Sequence, residues 1–162
     1  MKTSTPLWEY ACALYEKQGV QQACLQLQDD HRVNVPLILF FCWAMTVKGG
    51  IDGQVLKQAA HRADIVDTTL TGALRGIRRG MKQASFAQAQ WQKLRQAVVD
   101  SELQSERLLL ADLESFYDQA QSVSIHSLAA ALNMIYPTLD QSDAIIKQHL
   151  SLITVASSEV AI

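Results

Sequence analysis

Two glutamates one helical turn apart, Glu102 and Glu106, and two nearby aspartates, Asp64 and Asp67, are the side chains best suited to chemistry. Carboxylates on facing helices can hold Mg²⁺ or a pair of iron ions. The di-iron arrangement needs Glu-x-x-His, which is absent from the sequence, and a Mg²⁺-dependent phosphate enzyme needs a denser acidic cluster. The four histidines, His31, His61, His126 and His149, are scattered without the i, i+4 or H-E-x-x-H spacing of a metal site. Cys12, Cys24 and Cys42 lie in apolar helical patterns and form no C-x-x-C pair, so they read as buried, reduced thiols. Neither a nucleophile elbow nor a glycine-rich phosphate loop occurs. No catalytic residue and no cofactor is expected.

The remaining feature is the stretch from Thr71 to Lys82, which holds two patterns. Arg75, Arg78, Arg79 and Lys82 recur at helical spacing, as a site for an acidic partner, a phosphate or nucleic acid would require. The same cations could instead pair internally with Glu102 and Glu106, or simply be solvated. Gly72, Gly76 and Gly80 recur every fourth residue on another side. Glycine costs a helix interior about 0.5–1 kcal/mol relative to alanine, so close approach of something to the backbone is expected. One reading is packing against the small residues Ala97, Ser101 and Ser105; the other is a groove for a ligand or a partner helix.

The elements that must position these residues are helical throughout. Thr5 is a plausible cap for a helix beginning at Pro6, with Leu7, Trp8, Ala11, Cys12, Leu14 and Tyr15 inward and Gly19 at its end. Val20, Ala23, Cys24 and Leu27 form the apolar face of a second helix. A third, about 35–48, follows Asn34 and Pro36, is apolar all round and stops at Gly49-Gly50, as a central helix should. A helix from about 52 to 82 carries the stripe Val55, Ala59, Ala63, Val66, Leu70, Leu74, Ile77 and Met81 toward the core. That phase leaves the arginines pointing away, with a break near Asp64. A long helix at about 86–120 buries Leu94, Val98, Leu109 and Phe116. A helix after Ser124 ends at Pro137, and a last one, capped by Asp140, carries Ile145, Ile146, Leu150 and Ile153. The expected architecture is therefore an all-α, single-domain bundle (1–162) of six or seven helices around the helix at about 35–48, with a frayed tail at 157–162.

The 162 residues carry a net charge of −2, which argues against a general polyanion-coating role. The most apolar uncharged run, Val33–Val47, spans roughly 22 Å at 1.5 Å per residue, short of a bilayer core of about 30 Å. With no signal-like apolar segment at the start, a cytoplasmic location away from membranes is expected.

The first two thirds of the chain resembles a family of small, uncharacterised proteobacterial proteins of unknown function. The matching residues are Leu7-Trp8-Glu9-Tyr10-Ala11 with Leu14-Tyr15, the run Gly19 to Asp29 containing Ala23-Cys24-Leu25-Gln26-Leu27-Gln28-Asp29, and Val33 to Phe40 with Trp43. An arginine helix follows (Leu74-Arg75, Arg78-Arg79, Met81, Lys82), then Glu102-Leu103 and Glu106. This chain has Ala73 where the family pattern has proline. The resemblance implies no activity, substrate or catalytic residue.

The expectation is thus a non-enzymatic interaction or adaptor protein binding an acidic protein partner through Arg75, Arg78, Arg79 and Lys82. The alternatives are a small Mg²⁺-dependent or phosphate-ligand-binding protein using Glu102 and Glu106, and an RNA- or ribosome-associated factor.

Overall fold

The computed structural model describes residues 6–117 and 122–161. Among them the order is α1 (Pro6–Tyr15), α2 (Val20–His31), α3 (Val35–Lys48), α4 (Gly53–Val66), a π-helical segment (Asp67–Thr71), α5 (Gly72–Met81), α6 (Ala89–Tyr117), α7 (Leu128–Ile135) and α8 (Ala144–Ser158). The protein is an all-α bundle. Thr5, the proposed cap of α1, lies outside the described residues, as does the stretch after Tyr117 assigned to the long helix.

The bundle is organised by α3. Asn34 caps it by accepting the Leu37 amide at 2.9 Å, Pro36 sits in its first turn, and Gly49 closes it at φ 73°. A left-handed residue of this kind favours glycine. Between these caps the helix meets α1, α2, α4, α6, α7 and α8. Phe40, Phe41, Leu37 and Ile38 are completely enclosed. One continuous core cluster draws residues from α1 to α4 and α6 to α8, but none from α5.

Four local expectations need correction. The helix after Ser124 begins at Leu128, capped by Ser127, because Ile125 forms a lone antiparallel bridge with Ile51. Asp143, not Asp140, caps α8, and Ile145 consequently faces solvent while Ile146, Leu150 and Ile153 are buried. Asp140 holds the preceding turn through Ser142. The chain does not fray at Ser157: α8 continues to Ser158, and Val160 is buried in the core.

The fourth correction decides where the arginines point. The helix expected over 52–82 with a break near Asp64 is interrupted three residues later, at 67–71, by the π segment, closed by the Gly72 amide bonding to the Asp67 carbonyl. A π turn inserts one residue, which advances every later side chain by about 100°. The inward series Val55, Ala59, Ala63 therefore continues as buried Thr71 and half-buried Arg75 and Arg78, while Leu74 is half-buried as well. Leu70 and Ile77 are turned to solvent, 43% and 53% exposed. Beyond the π segment, Met81 is the one residue of the predicted stripe that is buried.

Candidate functional site

The inward face of α5 lies against α6 as an antiparallel hairpin. Its centre is a buried hydrogen bond of 2.9 Å between the hydroxyls of Thr71 and Ser105, and Ser105 in turn donates to the Glu102 carbonyl at 2.7 Å. One turn further along, Arg78 grips Glu102 with both arms of its guanidinium, Nε to Oε2 at 2.5 Å and Nη2 to Oε1 at 3.2 Å. Planar fork geometry of this kind makes the strongest side-chain ion pairs. The bond holds the guanidinium proton and pushes the Arg78 pKa up.

Arg75 is more deeply enclosed, with 11% of its side chain exposed. It lies 3.3 Å from Asp67 and Glu102 and 3.5 Å from Glu106, serving three carboxylates at once. Burial pushes the Glu106 carboxyl above its ordinary range, against the pull of Arg75. Arg79 bridges to Asp29 of α2 in an exposed pair. Lys82 has no ion pair among the described residues.

This arrangement distributes the predicted site residues unevenly. Arg75 and Arg78 are brought together with Glu102 and Glu106 in one ion cluster, and Arg79 is tied to α2, so these three arginines do not form an open cationic strip. As metal ligands the two glutamates are poorly placed, because their oxygens already face guanidinium groups that would repel a divalent cation. Among the described residues, no three of His, Cys, Asp and Glu form a group that could hold a metal ion.

The glycines also divide. A Cβ on Gly72 would come within 2.6 Å of the Asp67 carbonyl oxygen that closes the π segment, so the glycine there has a backbone reason. A Cβ on Gly76 or Gly80 would meet nothing within 4 Å. The expected ladder against α6 does not form: Ala97 and Ser101 are exposed, and Ser105 is occupied by Thr71. Gly76 and Gly80 instead lie open on the outer face with Ile77.

The free end of the hairpin exposes further residues, of which the sequence reading singled out only Lys82 and Leu94. No residue of α6 before Glu102 is buried, and Leu94 is 54% exposed, contrary to expectation. Phe86 is 52% exposed and packs edge-on against Trp91, ring centres 5.0 Å apart. Lys82, Lys93 and Arg95 are exposed without ion-pair partners among the described residues. The signal for this surface was in the sequence. From Thr68 to Val99 there are six Lys and Arg and no Asp or Glu, while the rest of the chain holds eight Lys and Arg against all sixteen acidic residues. The segment 68–99 thus carries +6 and the rest of the chain −8.

No helix among the described residues is long and apolar enough to cross a membrane. No curated protein and no solved structure matches this chain. A family model does match, over residues 6–113, which include α1 to α5 and most of α6. The chain belongs to that family, described as "Protein of unknown function (DUF2390)".

Proposed function

We propose that this is a non-enzymatic interaction protein of the cytoplasm, which docks an acidic protein partner on the outer face of the α5–α6 hairpin. The observation that carries this reading is the coincidence, on one hairpin, of Lys82, Lys93 and Arg95, which have no ion-pair partner among the described residues, with half-exposed Ile77, Phe86 and Leu94. Protein interfaces combine apolar anchors with a charged rim, whereas nucleic-acid surfaces are more uniformly polar and basic. Three of the four arginine-stripe cations are spent on internal pairs, which leaves little for counting phosphates. The binding residues in this reading are Lys82, Lys93, Arg95, Ile77, Phe86 and Leu94, with Gly76 and Gly80 letting a partner approach the backbone.

The test is capture from a nuclease-treated lysate with tagged wild-type protein and two triple variants. Lys82→Glu/Lys93→Glu/Arg95→Glu is expected to lose the captured protein. Lys17→Glu/Lys57→Glu/Lys147→Glu, the same charge change on the body, is expected to retain it. Retention by the hairpin variant would sink the assignment, and loss of all captured material on nuclease treatment would favour nucleic acid instead.

A further inference from the structure

A groove of about 440 Å³ opens between α1, α2, the start of α3 and α6, separate from the outer face of the hairpin. Its volume lies in the range of small-molecule sites, roughly 300–1,000 Å³. The walls are apolar, formed by Trp8, Ala11, Tyr15, Val35, Leu39 and Leu110. One end is charged, where Arg78, Glu102 and Glu106 enter from the ion cluster, and Glu16 adds a further carboxylate to the lining.

The charges at that end do not balance. Arg75 and Arg78 face three carboxylates, those of Asp67, Glu102 and Glu106. Arg78 engages both carboxylate oxygens of Glu102, whereas Glu106 has only Arg75, at 3.5 Å the longest ion-pair contact in the cluster, so Glu106 is its least tightly paired carboxylate. The other nearby cations are committed elsewhere: Arg79 pairs with Asp29, and Arg107 lies over the Trp8 ring, 4.8 Å from its centre, and is not part of the groove lining. Burial raises the Glu106 pKa, against the pull of Arg75. Tyr15 adds an aromatic face of the kind that attracts ammonium groups.

The geometry points to this groove as a binding site for a small apolar amine, its alkyl or aryl body between α1 and α3 and its ammonium group against Glu106. A carboxylate-bearing ligand of the same shape would meet Glu106, Glu102 and Glu16 and be disfavoured. A neutral one would gain only the apolar contacts.

Three isosteric probes test this on the full chain: 4-phenylbutylamine, 4-phenylbutanol and 4-phenylbutyrate, followed by two-dimensional amide and indole NMR. The amine is expected to shift the Trp8 indole and the Ala11, Leu39 and Leu110 amides, saturating at about tenfold lower concentration than the alcohol or the acid. Glu106→Gln is expected to bring the amine level with the alcohol. Leu103→Trp, a change at a half-exposed residue of the lining, is expected to block all three. The proposal is overturned if the acid binds as well as the amine, if Glu106→Gln keeps the preference, or if none of the probes shifts these residues.

Discussion

Arg78 and Glu102 form a two-pronged ion pair across the α5–α6 hairpin, with 26% and 12% of their side chains exposed. Removing Arg78 would leave the nearly buried Glu102 with only Arg75 at 3.3 Å, a guanidinium it shares with Asp67 and Glu106, and breaking a buried pair costs more than the pair contributes. Arg78→Ala is therefore expected to lower stability by about 1–3 kcal/mol. Arg79→Ala, which breaks an exposed pair, should change it by less than about 0.5 kcal/mol. Urea unfolding of the two variants checks the contrast, and equal effects would contradict the positions assigned to these arginines.

The glycines separate in the same way. Gly72→Ala should destabilise by roughly 1–3 kcal/mol, because its Cβ would press on the carbonyl that closes the π segment. Gly76→Ala and Gly80→Ala meet open space and should stabilise by about 0.5–1 kcal/mol each through helix propensity. Thermal unfolding of the three single variants reads both signs.

Glu106 makes stability depend on pH in a defined direction. Its carboxyl is pushed up in the folded state by burial, so the folded protein binds the proton more tightly than the unfolded chain. Its ionisation therefore costs stability as pH rises through the raised value, and the cost disappears below the ordinary carboxylate pKa of about 4.3. Glu106→Gln is expected to raise the melting temperature at pH 7 and to lose that advantage near pH 4. A variant less stable than wild type at pH 7 would mean that the Arg75 contact outweighs burial.

The cysteines should be unreactive while the protein is folded. Burial pushes Cys24 up to about 12 and raises Cys42 and, less deeply buried, Cys12. The thiolate is the reacting form, so a disulfide reagent at pH 8 should modify Cys12 slowly and the other two only in denaturant. Rapid modification of two or more thiols in the native protein would contradict this packing.

Much of the fold was legible because its signals are local. Asn34, Pro36 and Gly49 mark both ends of α3, and the apolar run between them identifies a helix surrounded by others. Val20, Ala23, Cys24 and Leu27 fix the buried face of α2 in the same way. The orientation of α5 was not legible. Leu70, Leu74, Ile77 and Met81 continue the stripe of α4 in perfect phase, and nothing in side-chain periodicity reveals one inserted residue at 67–71. That insertion exchanges the faces, placing arginine where leucine was expected. The cap of α8 failed for a simpler reason, since Asp140 and Asp143 are equally good capping types and only the path of the turn selects one. The pairing of the arginines with Glu102 and Glu106 was among the readings the spacing allowed, but choosing it required the rotation that the π segment supplies.

The central claim is that the outer hairpin face, and not the internally paired arginines, meets the partner. Hydroxyl-radical footprinting of the protein, alone and with its captured partner, tests it most directly. The account predicts protection of Ile77, Phe86 and Leu94, with Lys82 and Lys93 shielded from acylation. Protection confined to α7, α8 or the acidic body, with the hairpin left as reactive as in the free protein, would contradict it.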